Sequence, residues 1–172
     1  LKRSIALYNR TRELMQQFYE LRKGERPPVT GVEALEVMKA SGRMPREQYN
    51  ALLDQLLDEI NLSGREIKKG KRLMIVGNDL HNSNWIAAIE ELDAVVVTDE
   101  MITAGTRYFW GKVDTRLPSM EGIARHYMFN RPQDATIYES NRYDHIFKLA
   151  KEYKVDGVVS DVVRYCAPLE ND

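Results

Sequence analysis

Three short apolar runs, rich in β-branched residues, constrain the fold of this chain more than any other feature of its sequence. They occupy residues 72–76 (RLMIV), 94–98 (AVVVT) and 156–160 (DGVVS), and segments of helical periodicity lie between them. Continuous apolar strands that alternate with helices are typical of a parallel sheet covered on both faces. The expected fold class is therefore α/β, a parallel sheet flanked by helices with right-handed crossovers.

The part of the chain before the first run has helical patterns only. Leu, Glu, Lys, Arg and Gln dominate residues 1–70, and apolar side chains recur there at helical spacing. Thr30 followed by Glu33 predicts a capping box at the start of one helix, and Gly64 predicts the end of another. We therefore expect an all-helical segment over 1–70, followed by an α/β domain over 71–172.

Composition excludes several classes of protein. The chain has 172 residues, of which 43% are hydrophobic and 30% charged, so it is not disordered throughout. No apolar run approaches the ~20 residues that cross a bilayer. Twenty-five Lys and Arg face 26 Asp and Glu, for a net charge of -1, which provides no bulk field for a polyanion. We expect neither a membrane nor a nucleic acid as a partner.

The single cysteine bears on the compartment. Cys166 has no second cysteine with which to form an internal disulfide. No charged start followed by an apolar stretch predicts an export signal, so we expect a cytoplasmic location. The chain opens at Leu1, already inside a helical pattern, and closes at Asp172 just after a predicted strand. We therefore expect it to be a piece of a longer protein.

Ligands of an open parallel sheet bind beyond the carboxyl ends of its strands, where three segments of this chain follow predicted strands. The first, residues 77–85, contains Asn78 and His81 but no G-x-G-x-x-G fingerprint. It is either a polar loop that contacts a ligand through backbone amides, or a turn with a helix cap at Ser83.

The second segment, residues 99–111, combines two adjacent carboxylates, one arginine and three consecutive aromatic residues. So much ring surface is unusual in a connection, and the rings either line a pocket or fill a gap between domains. Arg107 either pairs with Asp99 or Glu100, or holds an anionic group of a ligand.

The third segment, residues 162–168, contains Cys166 directly after the last predicted strand. A lone cysteine is a small buried hydrophobe unless its position at a strand end makes it a ligand or nucleophile. His126 and His145 fall in predicted helices, where we expect structural roles. No Ser-His-Asp arrangement, phosphate loop or zinc spacing occurs, and no catalytic residue can be assigned.

Several stretches together resemble one family. They are RLMIVGNDLHN, IEELDAVVVTDE, TAGTRYFWGKV, IARHYMFNRP, and RYDHIFKLAKEYKVDGVV followed by RYCAP. ALYNRTRELMQQFYELRK is similar to the family's helical linker. This is the 2-hydroxyacyl-CoA dehydratase family, and within it the cluster-bearing subunits of ATP-dependent benzoyl-CoA reductase are the most similar. The resemblance implies that the α/β part is a Rossmann-like domain of a larger subunit.

The resemblance also implies a chemistry. In the family, cysteine thiolates hold a four-iron four-sulfur cluster near a CoA thioester, which fits the preference of such clusters for thiolates. A separate activator with its own cluster hydrolyses ATP and delivers a low-potential electron. The thioester carbonyl becomes a ketyl radical anion; dehydratases then expel a hydroxyl group, whereas the reductases reduce the aromatic ring. The implied partners are an acyl-CoA substrate, a homologous partner subunit and the ATP-hydrolysing iron–sulfur activator.

Residues carry over where the motifs match. Cys166 matches the cluster cysteine that follows the last strand, which implies a metal ligand. Arg107, Tyr108 and Phe109 match the run beside the substrate pocket. The expected substrate-binding residues are Arg107, Tyr108, Phe109, Asn78 and His81.

Two positions depart from the family pattern. Members often have a cysteine after the Arg-Pro pair, where this chain has Gln133 and Asp134, and many have one where Ile102 stands. Because a cluster needs about three or four thiolates, the remaining protein ligands must lie upstream of Leu1, or this homologue has lost its cluster. The alternatives to a reductase subunit are a 2-hydroxyacyl-CoA dehydratase subunit and a non-catalytic paralogue that binds an acyl-CoA or scaffolds a partner.

Overall fold

The computed structural model describes residues 1–67, 70–77, 82–101, 109, 111–130 and 142–166. Its first part is helical, as the sequence predicts. The helices before the first strand are α1 (Lys2–Glu20), continued by a 3₁₀ turn (Leu21–Lys23), α2 (Gly31–Ala40) and α3 (Arg46–Ser63). No helix in the described part of the chain is both long and apolar enough to cross a membrane.

Strands and helices alternate in the second part. In chain order they are β1 (Lys71–Gly77), α4 (Asn84–Glu90), β2 (Ala94–Met101), α5 (Ser119–Arg125), a π-helical turn (His126–Asn130), α6 (Arg142–Glu152) and β3 (Gly157–Asp161). The strands form one parallel sheet in the order β2-β1-β3. This arrangement confirms the α/β class and the parallel sheet.

Local signals place most helix ends correctly. The amide of Glu33 donates to Thr30 Oγ1 at 3.0 Å, and the amide of Thr30 donates to Glu33 Oε2 at 2.9 Å, which completes the predicted capping box. Gly64 ends α3 with φ of 60°, a conformation that suits glycine. Ser83 precedes α4 but makes no capping hydrogen bond; the side chain of Asn82 accepts an amide there instead.

β2 extends three residues beyond its predicted end at Thr98. Asp99 and Glu100, expected in a connection, belong to the strand and are 5% and 0% exposed. Asp99 lies opposite Ile75 and Glu100 opposite Val76 in the parallel ladder with β1. The prediction was wrong because carboxylates are depleted in strands, whereas pairing with a distant strand decides where this one ends.

The register between β1 and β2 shifts once. Leu73 lies opposite Val96, but Met74 lies opposite Thr98, so β2 advances by one additional residue at Val97. An additional residue of this kind locally increases the twist of a strand and bends it. All pairs from Met74 onward follow the shifted register.

Helices cover both faces of the sheet. On one face, Met74 and Val97 join a large apolar cluster with side chains of α1, α3, α6 and the turn after α6, namely Leu14, Phe18, Leu53, Leu57, Leu149 and Tyr153. On the other face, Ile75 and Val96 pack with Leu35 of α2 and Ile86 of α4. The helical segment therefore shares its apolar core with the strands.

Arg72 connects three segments at the amino end of the sheet. Its side chain is buried and donates to four carbonyls: Nε to Tyr153 at 2.8 Å, Nη1 to Gly24 at 2.7 Å, and Nη2 to Arg22 at 3.0 Å and to Lys23 at 3.5 Å. The amide of Arg72 donates to Asp156 Oδ2 at 2.8 Å. Carbonyls at helix ends carry partial negative charge, so a guanidinium suits this position.

We expect Arg72→Met to lower the free energy of unfolding by about 3–5 kcal/mol, because it leaves buried carbonyls without a donor. Urea denaturation followed by circular dichroism measures the change. Arg65→Met is the matched control, since Arg65 forms a half-exposed pair with Glu33 at 2.7 Å and should lose at most about 1 kcal/mol. Equal losses in the two variants would contradict the role given to Arg72.

Candidate functional site

The strand order places a crevice at the carboxyl end of β1. α4 leads from β1 to β2 and contributes Ile86 to the cluster on one face. α6 leads into β3; Leu149 of α6 and Tyr153 directly after it belong to the cluster on the other face. Because the connections lie on opposite faces, the carboxyl ends of β1 and β3 border the kind of crevice in which α/β proteins bind ligands.

β1 and β3 approach closely at this crevice. Gly77, the last residue of β1, lies opposite Asp161, the last residue of β3. Its φ is 133°, and a Cβ at this position would overlap the carbonyl oxygen of Asp161. Only glycine is compatible with both features. The segments that follow the two strands therefore leave the sheet from adjacent points.

Cys166 lies at this edge, five residues after the end of β3. Its amide donates to the carbonyl of Val163 at 3.0 Å and closes a turn in which Tyr165 has φ of 71°. Cys166 is partly exposed rather than sealed in the apolar core. Cys166 therefore belongs to the turn that follows the carboxyl end of β3 and not to the apolar core.

The chain on its own offers too few thiolates for an iron–sulfur cluster. Such a cluster takes about three or four cysteine ligands, and Cys166 is the single cysteine of the sequence. Within the described ranges, no three His, Cys, Asp or Glu side chains come together in a way that could hold a metal ion. The chain can supply one ligand, so any further ligands must come from elsewhere.

A cavity of about 500 Å³ lies between α1 and α6. Its apolar lining includes Met15, Phe109, Leu149 and Tyr153. Its volume falls within the range of roughly 300–1,000 Å³ that is usual for small-molecule sites. Phe109 is 5% exposed and also belongs to the apolar core, so this ring of the aromatic run both packs in the core and lines a pocket.

Ion pairs surround the cavity. Lys23 lies 2.6 Å from Glu20 and 3.0 Å from Glu152, and Lys112 lies 2.5 Å from Glu13. Burial opposes the charge of Lys23, but its hydrogen bonds to both glutamates outweigh burial and raise its pKa. The hydrogen bond from Lys112 lowers the pKa of Glu13. These paired charges neutralise one another around the apolar floor of the cavity.

Tyr19 connects the cavity to the end of β2. Its hydroxyl donates to Asp99 Oδ2 at 2.5 Å, and both residues are 5% exposed. Burial and the neighbouring Asp99 carboxylate raise the pKa of Tyr19 well above its usual value, so the phenol remains a donor. Asp99 is two residues from the end of β2. The hydrogen bond therefore anchors the strand end from which segment 102–108 continues.

Of the predicted site residues, the structure describes two: Phe109 at the cavity between α1 and α6, and Cys166 at the sheet edge. The remaining predicted substrate contacts lie outside the described residues: Asn78, His81, Arg107 and Tyr108. His126 and His145 are 1% and 6% exposed within helical segments. Substrate and metal binding by these residues stay predictions.

The sequence interpretation did not single out the polar side chains on the buried face of α1. Asn9 exchanges two hydrogen bonds with the backbone of Val113, at 2.8 Å and 2.9 Å. Arg12 is 4% exposed and Tyr19 5%. The available signal was their spacing, because Ile5, Asn9, Arg12 and Tyr19 recur at intervals that place them on one side of a helix.

The described residues thus form a parallel α/β sheet with an apolar-floored cavity between α1 and α6. Residues 1–172, the whole chain, match the model of the family described as 2-hydroxyglutaryl-CoA dehydratase, D-component. The chain belongs to this family, which confirms the resemblance carried by its motifs.

Three curated relatives are similar at low identity. The chain is 26% identical to the (R)-phenyllactyl-CoA dehydratase beta subunit of Clostridium sporogenes, over 100% of the chain and 46% of that protein. It is 24% identical to one of the benzoyl-CoA reductase subunits of Thauera aromatica, over 98% of the chain and 45% of that protein. It is 27% identical to the beta subunit of the lactoyl-CoA dehydratase of Anaerotignum propionicum, over 59% of the chain and 27% of that protein. The chain thus spans less than half the length of these relatives.

Three buried tyrosines make the free energy of unfolding decrease at alkaline pH. Burial is the main cause that raises the pKa values of Tyr19, Tyr49 and Tyr153. A phenol in the unfolded chain ionises near pH ~10. The stability that these neutral phenols give the folded state is therefore fully present below that pH. Above it, the free energy of unfolding decreases by about 1.4 kcal/mol per pH unit for each tyrosine.

We expect the free energy of unfolding of Tyr153→Phe to decrease less steeply above pH ~10, by about 1.4 kcal/mol per pH unit, since one fewer phenol ionises on unfolding. Denaturant unfolding at a series of alkaline pH values measures the slope. Tyr165→Phe is the control, because Tyr165 is 86% exposed and its removal should leave the slope unchanged. An unaltered slope in Tyr153→Phe would contradict the burial of that phenol.

Proposed function

We propose that this chain is part of an iron–sulfur subunit of a benzoyl-CoA reductase, an enzyme that reduces an aromatic acyl-CoA thioester in the cytoplasm. A four-iron four-sulfur cluster, when bound, supplies a single low-potential electron to the thioester. ATP is hydrolysed by a separate iron–sulfur activator, and the enzyme works with a homologous partner subunit. In this proposal, residues 71–172 are a Rossmann-like domain and residues 1–70 a helical linker or cap.

The observation that carries the proposal is the position of Cys166. It is partly exposed, and it follows β3 at the edge where the carboxyl ends of β1 and β3 meet. This edge is the usual ligand-binding edge of a parallel α/β sheet. Thiolates are the preferred protein ligands of iron–sulfur clusters. We assign Cys166 as one cluster ligand, and the others lie outside this chain.

The proposed substrate contacts are Arg107, Tyr108, Phe109, Asn78 and His81. Phe109 lines the cavity between α1 and α6 together with Met15 and Leu149. Such a floor suits the ring of an aromatic acyl group. Tyr19 holds Asp99 near the end of β2, which positions the segment that contains Arg107 and Tyr108.

A 2-hydroxyacyl-CoA dehydratase subunit is the second candidate. Its support is the 26% identity to the (R)-phenyllactyl-CoA dehydratase beta subunit over the whole chain, against 24% for the reductase subunit. The acyl groups named in these two relatives both carry an aromatic ring. The two candidates therefore share an aromatic acyl-CoA and differ in whether a hydroxyl group leaves or the ring is reduced.

A non-catalytic paralogue is the third candidate. It is supported by the single cysteine of the chain and by Ile102, Gln133 and Asp134 at positions where family members often have cysteine. Such a protein binds an acyl-CoA or holds a partner subunit without a cluster. Iron content separates it from both enzymes.

The reaction is tested by producing the complete subunit pair anaerobically together with its activator. We expect ATP-dependent loss of benzoyl-CoA with formation of a ring-reduced product. Phenyllactyl-CoA is offered in parallel, and its dehydration without reduction of benzoyl-CoA would favour the dehydratase. A folded pair that contains no iron and turns over neither substrate would leave the non-catalytic candidate.

We expect Cys166→Ser to abolish retention of the cluster, because a hydroxyl does not replace a thiolate as an iron ligand. Iron and acid-labile sulfide per subunit pair are measured after anaerobic purification. Ser160→Ala is the matched control: Ser160 is an exposed residue of β3, and its removal leaves every thiol in place. Unchanged iron content in Cys166→Ser would refute the assignment of this residue.

A further inference from the structure

β3 is an edge strand whose outer side is open. In the described part of the chain it pairs with β1 alone, in the sheet order β2-β1-β3. Its sequence GVVSD (residues 157–161) contains none of the lysines or prolines that usually protect an exposed edge from pairing. Strands of parallel sheets are normally buried on both faces. This strand is therefore suited to pair with a further one.

One face of β3 is uncovered as well. Val158 lies opposite Met74 in the ladder with β1, so both side chains point to the face that α1, α3 and α6 cover. Met74 is 0% exposed there, whereas Val158 is 51% exposed. The layer of helices on this face thus covers β1 but leaves β3 partly bare.

α6 leaves apolar side chains exposed on one of its sides. Lys148 and Glu152 line the cavity between α6 and α1, so they mark the side of α6 that faces α1. Tyr143 and Phe147 lie one turn apart on the opposite side of the helix. They are 48% and 69% exposed. Aromatic rings on a helix that is otherwise packed on a sheet are typical of a side that another element covers.

The exposed side of α6 faces the β3 edge of the sheet. α1 is joined to β2, at the other edge, by the hydrogen bond from Tyr19 to Asp99. The side of α6 that faces away from α1 therefore faces β3. Phe147 from the helix and Val158 from the strand border one open corner.

The handedness of crossovers predicts what fills this corner. The connection from β2 to β3 runs toward this edge and carries α6 on the face of Met74. Because crossovers between parallel strands are right-handed, a connection that continues in the same direction carries its helix on the same face. Such a helix lies beside α6 and over Val158, where the apolar side chains are exposed.

We propose that a helix and a fourth parallel strand of the same polypeptide, which follow residue 172, cover this corner. The apolar face of the helix packs against Tyr143, Phe147 and Val158, and the strand pairs with the free edge of β3. A crossover of this kind needs about a dozen residues. The curated relatives have the necessary length, because the chain spans 46% and 45% of two of them. This inference goes beyond the proposed function, since it involves neither iron nor a CoA thioester.

The first test is photo-cross-linking of the complete natural polypeptide that carries residues 1–172, purified without a partner subunit. Phe147 is replaced by the photoreactive p-benzoylphenylalanine, and mass spectrometry identifies the cross-linked peptides. We expect an intramolecular cross-link to a peptide that follows residue 172. The control is the same replacement of Leu92, which is 80% exposed just before β2 at the other edge of the sheet and should give no such cross-link. No cross-link from position 147, or one only to residues that precede Leu1, would overturn the proposal.

The second test measures access to the bare face of β3 in the same polypeptide. Val158→Cys should react with a maleimide at least about tenfold more slowly than Leu92→Cys, because a packed helix must first open. Peptide mass spectrometry separates each introduced thiol from Cys166 and from other native thiols. Equal rates in the two variants would contradict the proposal. Slow labelling of Val158→Cys only after a partner subunit is added would assign the corner to that subunit and overturn it.

The two tests do not depend on the proposed function. Neither uses iron, ATP or turnover. A negative result would therefore leave the proposed function standing, and failure of the proposed function would alter neither the expected cross-link nor the expected labelling rates.

Discussion

The buried guanidinium of Arg72 is the interaction on which the arrangement of helices and sheet depends. It is the second residue of β1, and it bonds the carbonyls where the helical segment leaves α1 and where α6 ends. The same residue donates its amide to the side chain of Asp156 just before β3. The cavity lies between α1 and α6, so its width is set by the residue that holds the ends of both helices. Tyr153 and Lys23, whose carbonyls accept from Arg72, also line this cavity.

The candidate site has two parts with different chemistry. The sheet edge is made by close backbone approach at Gly77 and offers a thiol at Cys166. The cavity has an apolar floor and neutralised charges, and it offers shape rather than reactivity. Cys166 does not line this cavity, so within the described residues the thiol and the apolar floor are two separate features.

Local features of the structure could be predicted from the sequence, and long-range ones could not. The capping box at Thr30 and the end of α3 at Gly64 depend on neighbouring residues and were predicted correctly. The extension of β2 through Asp99 and Glu100 depends on pairing with β1, which spacing does not encode. The role of Tyr19 likewise depends on a residue 80 positions away. Cys166 was singled out by its position after the last predicted strand and by the family motif that accompanies it, and its role as a metal ligand stays a prediction.

The additional residue in β2 decides which residue of β1 lies beside each residue at the end of the strand. With an uninterrupted ladder, Asp99 would lie opposite Val76; with the shift at Val97 it lies opposite Ile75. Every later residue of β2 is displaced in the same way, and Met101 therefore lies opposite Gly77. The shift thus makes β1 and β2 finish level with each other, so that the chain leaves both strands from the same line at the rim of the sheet.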